Sequence, residues 1–306
     1  MRAKELRVDY FHPGPVAEAF YDDESFICGI RGPFGSGKST TCVMKLMRIA
    51  QLQPKQNDGI RRSRFAVIRN TMPELKTTTI PTWVLWLPKH TGQWRDSGPP
   101  SHIVRRGDVE MEVWFVALDK PADVAKLLSM ELTAAWVNEA REVPKAIIDG
   151  LTGRVGRYPP LRDGGVRNPQ IILDTNSPDT EHWWYILAEQ DGSTERGRQL
   201  IESMHEAEEQ LRSLGLLPKD RSLMNFFSQP SGRSQQAENT DNLDPAYYIK
   251  LMAGKTEDWV KVYVRGEYGF VTEGKAVFPM FRDRIHVSPE KINPVVQLPL
   301  LIGCDF

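Results

Sequence analysis

An α/β fold, a mainly parallel sheet with helices on both faces, is predicted by three features of the sequence. Short apolar runs recur along the first part of the chain, stretches with helical spacing lie between most of them, and polar or glycine- and proline-containing turns close several of the runs. Strand–helix alternation of this kind builds parallel sheets covered on both sides.

The first run, FICGIR at 26–31, ends in a glycine-rich turn and reads as a buried strand. In the stretch after the turn, TTCVMKLMRIAQLQ, Val43, Leu46, Met47 and Ala50 fall at helical spacing. RFAVIR at 64–69 is a second strand, closed by Asn70, Thr71 and Pro73. EMEVWFVAL at 110–118, LTAAWVNE at 132–139 and PQIILDTNS at 169–177 supply three more. Past Ser177 the character changes. Residues 193–214 read as an exposed helix, with Leu200, Ile201, Met204, Leu211 and Leu214 roughly on one face. NFFSQPSG at 225–232 reads as a last core strand and turn, 244–253 as a short helix, and 260–281 as strand-like fragments punctuated by Gly266, Gly269 and Gly274. PLLIGCDF at the end reads as a strand. The expected organisation is a core over 1–229, a small lid or linker subdomain over 230–272, and a terminal linker and strand over 273–306.

At 306 residues the chain can bury a sizeable core, and a formal net charge of −1 gives it no global attraction for nucleic acid. No apolar run approaches the ~20 residues that span a bilayer, and the first residues lack a signal-peptide layout. A cytosolic protein with no membrane partner is therefore expected. Cys28, Cys42 and Cys304 show no metal spacing and are expected to pack as small apolar side chains. Arginines cluster at Arg61, Arg62 and Arg64, at Arg105 and Arg106, and at Arg154, Arg157, Arg162 and Arg167. Taken alone, each cluster reads more readily as a solvated face than as a DNA contact.

The sharpest motif is Gly32-Pro33-Phe34-Gly35-Ser36-Gly37-Lys38-Ser39, a GxxxxGK[ST] string set between a strand and a helix. Backbone N–H groups can crowd around a triphosphate only where glycines remove the Cβ obstruction, and the following helix points its positive end at the phosphates. Residues 32–39 with Thr40 are thus the expected ATP-binding loop. Lys38 would bridge the β- and γ-phosphates, and the Ser39 hydroxyl would bind Mg²⁺.

Such a loop needs an apolar strand that delivers a carboxylate to the same sheet edge. Ala134-Ala135-Trp136-Val137-Asn138-Glu139 fits, with Glu139 orienting and deprotonating the attacking water. Asn138 stands where an aspartate is usual, so it would reach the metal only through a bound water. A carboxylate dedicated to water favours the additional-strand class of P-loop NTPases. After the strand Ile171–Leu173, Thr175 and Asn176 are expected to sense the γ-phosphate. Gly153-Arg154-Val155-Gly156-Arg157 looks like a hinged loop presenting Arg154 or Arg157 to a neighbour's phosphate, with Arg31 as the rival acting within the chain.

Several strings, in order, resemble the large terminase subunits of tailed bacteriophages: GPFGSGKST, FAVIRNTMPELKTTTIPTW, ELTAAWVNEARE, GLTGRVGRYPP, ILDTNSP followed by HWW, QPSG, AEN with a later YY, and VYVRGEYGFVTEGKAVFP. The likeness covers most of residues 26–306. It implies an ATPase that drives double-stranded DNA into a procapsid, working as a ring on the portal protein, fed by a small terminase subunit, and monomeric in isolation. The setting it implies is the cytoplasm of an infected bacterium and, transiently, the procapsid portal. It further implies that Leu300–Asp305 opens a nuclease domain with Asp305 as its first metal ligand, and that the rest of that metal site is missing. Tyr10 and Phe11 become candidates to stack on adenine. Another DNA translocase or helicase, or a nucleotide-binding scaffold without turnover, would fit the same residues.

Overall fold

In the computed structural model, which describes residues 9–118, 120 and 123–270, eight strands form one sheet. The expected terminal strand with Cys304 and Asp305 lies outside the described residues, as does the 273–306 linker. In chain order the elements are α1 (Pro15–Asp22), β1 (Ile27–Arg31), α2 (Lys38–Leu52), β2 (Arg61–Arg69), α3 (Met72–Glu74), a π-helical turn (Leu75–Thr79), α4 (Ile80–Trp86), β3 (Gly92–Arg95), β4 (Ser101–Arg106) and β5 (Val109–Ala117). They continue with α5 (Val124–Leu127), β6 (Ala134–Asn138), α6 (Lys145–Thr152), β7 (Ile171–Thr175), α7 (Trp183–Ala188), α8 (Glu195–Ser213), β8 (Met224–Ser228), α9 (Tyr247–Met252) and α10 (Glu257–Tyr263).

The strand order is β3-β4-β5-β2-β6-β7-β1-β8. From β5 to β8 every pairing is parallel, while β3 and β4 extend the β5 edge antiparallel. β7 lies between β1, which feeds the glycine-rich loop, and β6, which carries Glu139 at its exit. That inserted strand makes this the additional-strand type of P-loop fold. Register brings Arg31 beside Thr175 and Asn138 beside Asp174, so three strand exits meet at one edge. Open parallel sheets bind their ligands at such an edge.

Alternation along the strands sends successive side chains to opposite faces. Cys28, Ile30, Phe65, Val67, Phe115, Trp136 and Ile172 pack beneath α1, α2 and α4. Ile27, Ala66, Ile68, Ala135, Val137, Ile171 and Leu173 face the other way, against α6 and α7. Cys28 and Cys42 are free and buried, as expected of small apolar side chains.

Two readings from the sequence need correction. The β3–β4 hairpin was not anticipated, because Arg105 and Arg106 close a strand whose outer end is exposed and too short of apolar residues to register. Residues 260–263, the start of the supposed strand-like fragments over 260–281, belong instead to α10. Their β-branched valines suit strands, but the Thr256 side chain caps the Trp259 N–H, and Glu257 and Asp258 suit the positive end of the first turn.

Of the basic clusters, Arg61, Arg62 and Arg64 and, in the second, Arg105 are paired with acids. Arg61 pairs with Asp108, Arg62 with Asp58 and Glu110, Arg64 with Glu112, and Arg105 with Glu110. Among the described residues no helix is long and apolar enough to cross a membrane.

One buried group ties stability to pH. His102 on β4 is fully buried, accepts the Trp83 indole N–H at its Nδ1 (3.1 Å), and is pushed down to about 4 by burial. The neutral form is the folded form, so its contribution is complete above the unfolded histidine value near 6.5 and is lost as pH falls through about 4. His102→Gln, which retains an acceptor for Trp83, is expected to flatten the loss of urea stability between pH 6.5 and 4; an unchanged slope would remove His102 as its cause.

Candidate functional site

Gly35 and Gly37 take the left-handed backbone (φ 74 and 83), where a side chain would be strained. At Gly37 a Cβ would also come within 2.6 Å of Pro13 Cγ. These conformations curl the loop so that α2 begins at Lys38 with its free N–H groups toward the loop's concave side. The segment expected to be a lid packs on this loop. Phe34 N–H donates to Tyr263 O, Tyr248 hydroxyl donates to Phe34 O, Asn239 Nδ2 donates to Gly35 O, and the Phe34 and Tyr263 rings stack at 4.5 Å.

Lys38 is buried, and burial lowers its ammonium from the ordinary lysine value while Glu139 and Asp174 oppose that shift. Its Nζ donates to Gly32 O (3.0 Å), Pro33 O (2.7 Å) and Asn176 Oδ1 (3.3 Å). Across the same space, Asn176 donates through Nδ2 to Glu139 Oε1 and through its backbone N–H to Glu139 Oε2, both at 3.3 Å. Asn176 therefore joins the lysine and the glutamate. Thr175 turns aside, accepting the Arg141 N–H and donating to Asn176 O.

Glu139 itself sits at φ 53, a left-handed conformation for a residue with a side chain. Such a backbone costs about 1–3 kcal/mol and persists only where the surroundings over-determine it. Here it turns the chain sharply out of β6 and sends the carboxylate across to the β7 exit.

Beneath lies a second cluster. Ser39 Oγ donates to Asp174 Oδ2 (2.7 Å), Trp136 Nε1 donates to Asp174 Oδ1 (2.7 Å), and Asn138 Nδ2 donates to both carboxylate oxygens (3.0 and 3.1 Å). Asn138 Oδ1 is occupied by Arg69 Nη1 (3.0 Å) and Thr79 Oγ1 (2.6 Å). Because a carboxylate only accepts and a guanidinium only donates, the amide has one sensible orientation. Arg69 also reaches Glu142 and Glu74. Burial raises the Glu142 carboxyl from its ordinary value, and nearby Glu139 adds to the effect. The hard oxygen donors of Ser39 and Asp174 suit Mg²⁺. Among the described residues no group of three or more His, Cys, Asp or Glu gathers as a metal cage.

The arginines fall in different places. Arg154 Nη1 donates to Leu128 O, and the Arg154–Tyr158 backbone pairs with Leu132, at the entry to β6. Seven residues of extended chain separate that end from Glu139, about 20 Å. Arg154 and Arg157 are thus at the opposite edge from their own chain's phosphate loop. Arg31 is anchored: its guanidinium donates to Ser177 Oγ and Gly266 O and lies 3.9 Å over the Tyr268 ring. Tyr10 donates to Thr41 Oγ1 and packs on His12, Tyr21 and Trp86, while Phe11 is 86% exposed.

Sequence reasoning missed Asp174, Arg69 and Gln229. Gln229 Nε2 donates to Ser36 O and to Glu238, whose carboxylate accepts the Val16 and Ala17 N–H groups of α1. Asp174 was legible by the rule that selected Glu139, an acid ending an apolar strand. Gln229 was visible only as a letter in QPSG.

No protein-family model matches the chain, and no curated protein matches it in sequence. Solved structures do. The large terminase from a thermophilic bacteriophage aligns over 92% of this chain and 55% of its own, with a TM-score of 0.54 and 13% identity. The same terminase in complex with ADP gives 0.55 and 13% over 92% and 56% of the two chains. In complex with ATP-γ-S it gives 0.53 and 12% over 92% and 55%. At this identity the likeness establishes a shared fold. The chain spans little more than half the length of these three structures.

Proposed function

We propose that this chain is the ATPase motor portion of a tailed-phage large terminase, hydrolysing ATP to drive double-stranded DNA into a procapsid. The observation that carries the reading is the Lys38–Asn176–Glu139 bridge, which sets a phosphate-binding ammonium and a general-base carboxylate on either side of one polar side chain. The shared fold with a large terminase solved with ADP and with ATP-γ-S supports the assignment.

In this mechanism the loop amides and Lys38 hold the β- and γ-phosphates, exchanging the lysine's present carbonyl partners for phosphate oxygens. Glu139 orients water and takes its proton. Asn176, touching both groups, reports whether the terminal phosphate is present. Mg²⁺, held at the Ser39 hydroxyl, would neutralise phosphate charge. Arg154 and Arg157, remote from the loop of their own chain, are the arginines this reading assigns to a neighbouring copy in a ring, a guanidinium contribution that P-loop enzymes commonly take from a second chain. Within the same reading, residues 230–272 are a lid, Asp305 is the first ligand of a nuclease metal site, and the partners are the portal protein and a small terminase subunit, met in the cytoplasm of the infected host.

Phosphate release measured with and without double-stranded DNA tests the proposal. The chain should release phosphate from Mg-ATP, faster with DNA, and Lys38→Ala should cut release at least about 10²-fold. Nucleotide binding without any release would instead make it a non-hydrolysing scaffold.

A further inference from the structure

We propose that Asp174 supplies the magnesium-binding carboxylate, and that Asn138, at the position where P-loop enzymes commonly carry it, is the group that holds Asp174 in place. The inference rests on the ATPase reading above and assigns the metal's acid to the inserted strand rather than to β6.

Two independent features carry it. The hydroxyl expected to ligate the metal, Ser39 Oγ, donates to Asp174 Oδ2 at 2.7 Å, whereas it is 3.4 Å from Asn138 Nδ2. Asp174 is also fully buried, and the donors it meets (Ser39, Trp136 and Asn138) are all neutral. The cations nearby are engaged elsewhere, Arg69 with Glu74 and Glu142, and Lys38 with the loop carbonyls and Asn176. A buried carboxylate without a paired cation is costly, and buried charges are otherwise found paired or on metals. A cation beside Ser39 would answer that need.

The geometry also accounts for the amide at 138. Asn138 and Asp174 are cross-strand partners at the sheet edge, with the amide nitrogen 3.0 and 3.1 Å from the carboxylate oxygens. An aspartate at 138 would set two like charges at that distance. With Arg69 and Thr79 on its oxygen and Asp174 on its nitrogen, Asn138 has no oxygen left to turn toward a metal-bound water. It is a positioning residue.

The test uses the whole chain with ATP-γ-S and reads bound Mn²⁺ from the loss of the free-ion EPR signal, beside nucleotide affinity in EDTA. Asp174→Asn should weaken Mn²⁺ uptake about 10–100-fold, with no matching loss of metal-free nucleotide affinity, since removing a negative charge beside the phosphates does not disfavour an anion. The exchanged pair Asn138→Asp with Asp174→Asn returns one carboxylate to the same spot and should recover most of the lost affinity. A folded Asp174→Asn protein with unchanged Mn²⁺ affinity overturns the proposal. If the single variant does not fold, an exchanged pair that folds, binds nucleotide and takes up no Mn²⁺ does so too. Failure of the parent chain to bind nucleotide in EDTA or with Mn²⁺ would instead remove the nucleotide-site reading beneath it.

Discussion

Glu139→Gln should bind ATP as the parent chain does and release phosphate about 10²–10⁴-fold more slowly, the usual worth of a positioned general base. The substitution is nearly isosteric, so contacts to Asn176 survive in part: the amide oxygen still accepts from the backbone N–H or from Nδ2, each 3.3 Å from a Glu139 oxygen. What is lost is the ability to take a proton from water. Binding and turnover should therefore separate. Equilibrium binding of ATP-γ-S and single-turnover phosphate release are the two measurements. Hydrolysis near the parent rate would take Glu139 out of the base role and leave a neighbouring acid, Glu142, to be considered. That residue is poorly placed to replace it, since Arg69 engages its carboxylate.

A second large effect is expected in the core. Trp184 on α7 is fully buried, meets Phe226 of β8 edge-on at 5.0 Å, and covers Gly29 of β1 so closely that a Cβ there would be 2.5 Å from its Cη2. Trp184→Ala would leave a cavity against the strand that feeds the phosphate loop and should cost about 3–5 kcal/mol, a large share of the roughly 5–15 kcal/mol typical of a folded protein. Urea unfolding measures it. Trp184→Phe, which keeps most of the apolar contact, should cost far less. A loss below about 1 kcal/mol for the alanine variant would mean that the cavity collapses or that the ring does little for packing.

How much could be read beforehand followed from how local each signal was. The glycine-rich loop and the apolar runs 26–31, 64–69, 110–118, 132–139 and 169–177 were legible because each is a short contiguous run bounded by turn chemistry, and strand–helix alternation then suggested a parallel sheet. Three things escaped. The β3–β4 edge is half exposed and rich in arginine, so it lacks an apolar pattern. Helix α10 carries valines that suit strands, and only its capping threonine and acidic first turn announce it. The carboxylate cluster is non-local: Asp174 meets Ser39 across 135 positions and Asn138 across 36, and nothing in the chain marks those residues as neighbours before the sheet order does. Glu139 and Asn176 were picked out as single residues, but that one donates to the other is a consequence of β7 being inserted next to β6.

The left-handed backbone at Glu139 sets two selective pressures against each other. A glycine at that position would relax the turn and toughen the fold, and would discard the carboxylate proposed as proton acceptor in the same stroke. Sequence drift judged by thermal robustness alone would therefore favour glycine at this turn over the carboxylate proposed to activate water.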